Sequence, residues 1–188
     1  MVYSNGKVAG VLFFIAAAQF ILGLIVAEAL YPGYSISKNY ISDLGAGPSS
    51  TVFNTSIFLL GLLSIIGTYF LQRAFNLMAV TISFTIAALA AMGVGIFTEN
   101  SEPMHMFASF FVFLFGGLSA TFSYRLMKHP FNIIVILLGL MSLLALIFYI
   151  GNIYFGLGAG GMERMIVYPI LIWMIGFGGF LIAFSEKS

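Results

Sequence analysis

The stretch that decides the fold is residues 132–155, which read NIIVILLGLMSLLALIFYIGNIYF and contain no charged side chain. An α-helix rises about 1.5 Å per residue, so an apolar run of about 20 residues matches the thickness of the hydrocarbon layer of a bilayer. A soluble domain cannot easily bury such a run on every side. The stretch therefore predicts a transmembrane helix.

The rest of the chain repeats this pattern. Of the 188 residues, 61% are hydrophobic and only 7% are charged, whereas a soluble domain has about 25% charged residues. The apolar runs lack the strict alternation of membrane barrel strands. We expect a single all-α domain, and its first run to be a retained helix, since no A-x-A-like signal-peptidase site follows it. Hydropathy predicts six transmembrane helices, at 8–30, 53–71, 77–97, 104–124, 132–155 and 164–184.

Composition also excludes several classes of function. The net charge of +1 is small and scattered, which argues against nucleic acid as a partner. The chain has no cysteine, so disulfides, thiolate catalysis and cysteine-ligated metals are excluded. Membrane lipids are the expected partners.

The distribution of lysine and arginine predicts the orientation in the cell membrane. With both termini cytoplasmic, the inner segments carry five basic residues and the outer segments carry two, Lys38 and Arg164. The positive-inside rule favours this arrangement. The inner residues are Lys7, Arg73, Arg125, Lys128 and Lys187.

The third predicted helix is unusually rich in small residues, including Ala87, Ala91 and Gly95. Small side chains let helix backbones approach closely. We therefore expect this helix to be central in the bundle.

The first outer connection is the longest and reads YPGYSISKNYISDLGAGPSSTV, residues 31–52. Glycine and proline interrupt it, while its aromatic and aliphatic residues argue against disorder. We expect it to fold back over the bundle, with 36–44 forming a short interfacial helix and Ser49 or Ser50 capping the second span.

Asn39, Ser42 and Asp43 form a compact polar group within that connection. On a helical turn Asn39 and Asp43 lie at i and i+4, on one face. Two interpretations of Asp43 stand: a ligand, base or proton carrier in the mouth of the bundle, or a cap for a turn.

Five of the six acidic residues lie on the predicted outer face, together with His105. Glu102 suits the first turn of a helix capped by Ser101, and Glu28 suits the headgroup level. His105 lies one turn inside the fourth helix, where an imidazole needs a hydrogen-bonding partner and ionisable groups are functional candidates. The outer acidic residues are Glu28, Asp43, Glu99, Glu102 and Glu163.

Glu163 and Arg164 are predicted to open the sixth helix. An arginine is disfavoured near a helix N-terminus, so we expect it to pair with Asp43 or Glu99, or to bind a phosphate with its planar fork. Asn152, with its neighbours Tyr149 and Tyr154, is expected to line the same pocket.

Together these residues predict an outward-facing polar pocket that binds, and in an enzymatic form hydrolyses or modifies, a lipid or small amphiphile. Asp43, His105 and Glu163 are the candidate catalytic residues and candidate ligands of a divalent metal. Asn39, Ser42, Asn152 and Arg164 are the candidate substrate-binding residues. The alternatives are a proton-coupled or lipid transporter, which would need a homo-oligomer for its path, and a non-catalytic subunit of a membrane complex.

The segment NYISDLG at 39–45, a histidine opening the fourth helix and the Glu163–Arg164 pair resemble the prokaryotic family catalogued as domain of unknown function 998. The resemblance extends over essentially the whole chain. It implies six membrane spans, and it implies no activity.

Overall fold

A computed structural model describes residues 2–186 and contains six helices long and apolar enough to cross a membrane. No strand occurs in that range, so the predicted all-α membrane fold is confirmed. Lys187, counted above as an inner basic residue, lies outside the described residues. The helices are α1 (Val2–Leu30), α2 (Ser50–Phe75), α3 (Met78–Ile96), α4 (Glu102–Phe122), α5 (Phe131–Ile150) and α6 (Gly158–Glu186).

The helices form a ring in which each packs on its neighbours in the chain and α6 closes on α1. The third helix is not central, contrary to expectation: 39% of its span is buried, against 50% of the α6 span. Its small residues instead allow close contacts with both neighbours. A Cβ added to Gly95 would lie 2.8 Å from the Asn54 carbonyl oxygen of α2, and one added to Gly93 would touch Ala108 of α4.

Aromatic side chains pack together in the centre of the bundle. Phe13 of α1 lies 4.9 Å from Phe84 of α3 between ring centroids, and Phe84 lies 5.1 Å from Trp173 of α6. Trp173 also stacks on Phe177 and donates its indole N–H to the Ser123 hydroxyl at 2.9 Å. These large buried side chains join three helices that are far apart in the sequence.

Three connections share one end of the bundle, which we call the cavity end: residues 31–49, 97–101 and 151–157. The longest folds back over the helices, as expected, but the helix predicted over 36–44 is wrong. Turns lead instead to a short 3-10 helix, Ser42–Gly45. Ser49 occupies the N-cap position of α2 without a capping bond, because its hydroxyl donates to the Leu44 carbonyl at 2.9 Å.

Helix α6 begins at Gly158, six residues before the predicted start, so Glu163 and Arg164 lie in its second turn. Gly158 has a left-handed backbone with a φ of +75°, which favours glycine. Two residues later the Gly160 N–H donates to the Ser37 carbonyl at 3.1 Å. A side chain at Gly160 would collide with the carbonyls of Ile36 and Asn39. The glycine-rich start of α6 therefore lets the helix touch the long connection.

Candidate functional site

A cavity of about 1030 Å³ lies at the cavity end, walled by the long connection, the 97–101 connection, α4, α5 and the second turn of α6. Its lining mixes carboxylates, hydroxyls and aromatic rings. Three predicted catalytic residues, Asp43, His105 and Glu163, all contribute to it. The lining comprises Tyr40, Ser42, Asp43, Ala46, Glu99, Asn100, Glu102, Pro103, His105, Met106, Phe107, Ser109, Phe110, Phe113, Leu146, Tyr149, Ile150 and Glu163.

A second, smaller chamber of about 60 Å³ adjoins this cavity deeper in the bundle. Its walls are mostly aliphatic and aromatic side chains of α1, α2, α3, α4 and α6, including Phe20, Leu60 and Met174. Four residues line both spaces: Ser42, Ser109, Phe113 and Glu163. A wide cavity that carries carboxylates and hydroxyls among its apolar side chains thus adjoins a chamber that is almost wholly apolar.

Glu163 stands where the two spaces meet. It is only 4% exposed, and its Oε2 accepts a hydrogen bond of 2.5 Å from the Ile41 backbone N–H. No hydrogen bond is made to its other oxygen, Oε1, by any described residue. The 3-10 turn of the long connection supplies that backbone donor, so the connection holds this buried carboxylate in place.

Asp43 is held by its own connection. Its Oδ2 accepts hydrogen bonds from Asn39 Nδ2 at 2.8 Å and from the Tyr40 backbone N–H at 3.1 Å. The predicted i, i+4 contact between Asn39 and Asp43 is confirmed. Asp43 therefore caps a turn and also lines the cavity, while Asn39 is outside the lining and positions it.

Glu99 belongs to this group, although sequence reasoning left it out of the predicted site. Its Oε1 accepts a hydrogen bond of 2.5 Å from the Ser42 hydroxyl, and it lines the same cavity as Asp43 and His105. The available signal was its place in the same short connection as the entry to α4, six residues before His105.

His105 has the hydrogen-bonding partner that we expected from its position. Its Nδ1 lies 2.7 Å from the Phe97 carbonyl oxygen, and its ring is 8% exposed. A carbonyl only accepts, so Nδ1 bears a proton in this hydrogen bond. Nε2 faces the Ser109 hydroxyl at 3.4 Å, next to both spaces.

Arg164 is not part of the cavity lining, and the predicted pairing with Asp43 or Glu99 is wrong. Its guanidinium pairs with Glu28 at 2.6 Å and donates to the Tyr34 hydroxyl at 2.7 Å. Further bonds go to the carbonyls of Ile36 and Gly160, each at 3.0 Å. Glu28 is therefore an ion-pair partner rather than a simple headgroup-level residue.

Tyr34 completes what we call the Arg164 cluster: Arg164, Glu28, Tyr34 and the carbonyls of Ile36, Asn39 and Gly160. The Tyr34 hydroxyl donates to the Tyr40 carbonyl at 2.9 Å while accepting from Arg164. Burial raises the pKa of Tyr34 to about 12, against the opposing effect of the Arg164 charge. The cluster fastens the long connection to α1 and α6.

Asn152 lies apart from the cavity, contrary to expectation. It is exposed, with a left-handed φ of 56°, and its side-chain oxygen accepts a hydrogen bond of 2.8 Å from Tyr154. Tyr149 does line the cavity, with its ring 6.0 Å from that of Tyr40.

The predicted three-ligand metal site is not assembled in this arrangement. Residues 2–186 contain no group of three His, Asp or Glu side chains that could hold a metal ion. Asp43 and Glu163 are each engaged by backbone N–H donors, and Nδ1 of His105 is engaged by a carbonyl.

The chain matches the family described as Protein of unknown function (DUF998) over residues 14–179, which include every residue discussed at this end of the bundle. The resemblance predicted from the NYISDLG segment is confirmed. No curated protein and no solved structure matches the chain.

Proposed function

Because the chain belongs to the family described as Protein of unknown function (DUF998), we propose its function from geometry alone: it binds a membrane amphiphile at the cavity end. The polar head occupies the wide cavity, and the apolar tail extends into the adjoining chamber. The observation that supports this proposal is that Ser42 and Glu163 line both spaces. Polar groups thus stand at the border of an apolar space, as an amphiphile requires.

The surroundings of the cavity favour entry from the bilayer. Side chains of α4 and α5 that line it also face outward: Phe107 is 64% exposed and Ile150 is 61% exposed. On the surface of a membrane bundle such side chains meet lipid. The basic residues Arg73, Arg125 and Lys128 belong to the opposite end, and under the positive-inside rule this distribution supports our proposal that the cavity end faces outward.

An enzymatic form of the proposal uses the same geometry. Asp43 and Glu163 are the candidate acid and base, and Nε2 of His105 is available as an acceptor beside Ser109. Amphiphile binding comes first, since each of these roles requires a bound substrate.

Photo-crosslinking tests the binding proposal. The purified protein in lipid nanodiscs is incubated with a single-chain amphiphile bearing a diazirine at the end of its tail, and labelled peptides are identified by mass spectrometry. We expect labels on residues of the inner chamber such as Val94, Val167 and Ile170. Labels restricted to lipid-facing residues outside both spaces would overturn the proposal.

A matched pair of variants sharpens this test. Ser109→Leu adds bulk where the two spaces meet and should abolish chamber labelling. Thr55→Leu adds similar bulk at an exposed position of α2 and should leave labelling unchanged. Thermal unfolding of both variants confirms that they are folded.

A further inference from the structure

We propose that the head group bound in the wide cavity is an organic cation, an ammonium group on a hydrophobic tail. The inference rests on the proposed function and specifies the chemical class of its ligand. It contrasts with the phosphate recognition that Arg164 suggested from sequence.

The charges that line the cavity are the first argument. Asp43, Glu99, Glu102 and Glu163 all face it, whereas no lysine or arginine within residues 2–186 contributes to its lining. Arg164, next to Glu163 in the chain, is directed instead onto Glu28. An anionic head group would lie against four carboxylates without an arginine guanidinium or a lysine ammonium to bind it.

The proximity of these carboxylates is the second argument. The Ile41 N–H bonds the Glu163 carboxylate, the Ser42 hydroxyl bonds the Glu99 carboxylate, and Asp43 follows as the next residue. Three carboxylates therefore lie around three consecutive residues of the long connection. Like charges repel more strongly next to a bilayer than in water, because the local dielectric constant is lower. A bound cation relieves that repulsion, and a neutral head group does not.

Glu163 supplies an independent observation. The residue is only 4% exposed, and of its two carboxylate oxygens only Oε2 is bonded, by the Ile41 N–H. Oε1 has no hydrogen-bond partner among the described residues, and the side chain borders the cavity. A carboxylate oxygen that borders a cavity and is not bonded by the protein is free to accept from a ligand. An ammonium N–H can donate to Oε1, and the positive shell of a quaternary ammonium can lie against it.

Aromatic rings form the remaining walls. Tyr149 lies edge-to-face with Tyr40 at 6.0 Å and with Phe113 at 6.4 Å between centroids, and all three line the cavity. Ring faces attract cations, and such contacts strengthen where water is excluded. The cavity therefore combines carboxylates with aromatic walls, the pairing by which proteins recognise alkylammonium groups.

Comparative binding in nanodiscs tests this inference. Three probes share one tail and differ in head group: dodecyltrimethylammonium, dodecyl maltoside and dodecyl phosphate. A fourth probe, tetramethylammonium, carries the cation without a tail. We expect the long-chain cation to bind at least about tenfold more tightly than the neutral and anionic probes. We also expect the long-chain cation to bind more tightly than tetramethylammonium, because its tail adds buried apolar area.

Charge-removing variants identify the site. Glu163→Gln keeps an acceptor for the Ile41 N–H while removing the charge. It should weaken binding of the long-chain cation at least about tenfold and leave binding of dodecyl maltoside unchanged. Glu99→Gln serves as a second variant should Glu163→Gln fail to fold. Ser37→Lys, at an exposed position outside the lining, changes the net charge by the same amount and should leave cation affinity within about twofold.

The outcomes separate this inference from the function on which it rests. Equal binding of the three long-chain probes, or tighter binding of dodecyl phosphate, would overturn the preference for a cationic head group and leave amphiphile binding intact. If tetramethylammonium binds as tightly as the long-chain cation, the result supports a cationic head group and overturns a contribution of the tail to binding. Absence of binding by every probe overturns both.

Discussion

Glu163 and Arg164 are adjacent in the sequence and belong to two regions of opposite character. Consecutive residues of a helix point about 100° apart, so one side chain borders the wide cavity and the other enters the Arg164 cluster. Both are 4% exposed. Arg164 pairs with a carboxylate, a hydroxyl and carbonyls, whereas Glu163 receives one backbone N–H.

The difference separates a charge that the protein compensates itself from a charge that borders an open cavity. A buried charge is costly unless partners compensate for its lost hydration. In the Arg164 cluster the protein provides partners for both terminal nitrogens of the guanidinium, while Nε has no bond among the described residues, and none of the cluster residues lines the wide cavity. Around Glu163 it leaves a cavity lined by further carboxylates. Burial alone does not distinguish Arg164 from Glu163, because both are equally buried. Their hydrogen-bond partners do distinguish them.

The largest expected effect comes from Arg164→Met. The substitution leaves Glu28 without its ion pair and several carbonyls without their donor, so we expect the free energy of unfolding to fall by about 3–5 kcal/mol. Thermal unfolding in detergent measures the loss. Arg73→Met, which removes an exposed arginine bonded to the Tyr69 hydroxyl, is the matched control and should change it by less than about 0.5 kcal/mol. Equal effects would contradict the structural role of the cluster.

Gly160→Ala should have an intermediate effect on both regions. A Cβ at Gly160 would lie 2.7 Å from the Ile36 carbonyl oxygen, and the backbone on each side has little room to move. We expect a loss of about 1–3 kcal/mol in the free energy of unfolding. Because the long connection also places Ile41 against Glu163, binding of the long-chain cation should weaken as well.

Gly179→Ala is the control for that variant, since a Cβ at this position of the same helix meets nothing within 4 Å. It should be neutral or slightly stabilising, as alanine favours helix. An unchanged stability of Gly160→Ala would show that the contact with the connection is not tight.

The smallest expected effect is a pH dependence from Tyr34. Its folded pKa of about 12 exceeds the unfolded value of about 10, so the neutral phenol stabilises the fold fully below about pH 10. That contribution declines as the pH rises from about 10 towards 12. Tyr34→Phe removes this titration and should make the alkaline fall in melting temperature shallower.

At neutral pH the same variant should lose about 1 kcal/mol, because it removes the bonds with Arg164 and the Tyr40 carbonyl. Tyr124→Phe, at an exposed position near the opposite end, should leave the alkaline profile unchanged. A Tyr34→Phe profile parallel to that of the unaltered protein would contradict the assignment.

Much of this architecture follows from sequence because the bilayer imposes strong local rules. Runs such as 132–155 predict helices without knowledge of their neighbours. The bond between Asn39 and Asp43 follows from i, i+4 spacing, and the need of His105 for a partner follows from its depth. These are short-range consequences of helix geometry and solvation.

The pairings between distant segments do not follow in this way. Glu28 and Arg164 are 136 residues apart, and their contact depends on α1 packing against α6. Hydropathy specifies which segments cross the membrane but not which helices are neighbours. For the same reason sequence could not separate Asn152, which lies outside the cavity, from Tyr149, which lines it.

The single tryptophan of the chain has a practical consequence. Trp173 is 1% exposed, donates its N–H to Ser123, and contributes to neither the wide cavity nor the inner chamber. Its fluorescence emission should therefore shift when the aromatic centre unpacks and stay constant when a ligand occupies the cavity end. One optical signal can thus follow unfolding in the very samples used for binding, without a label.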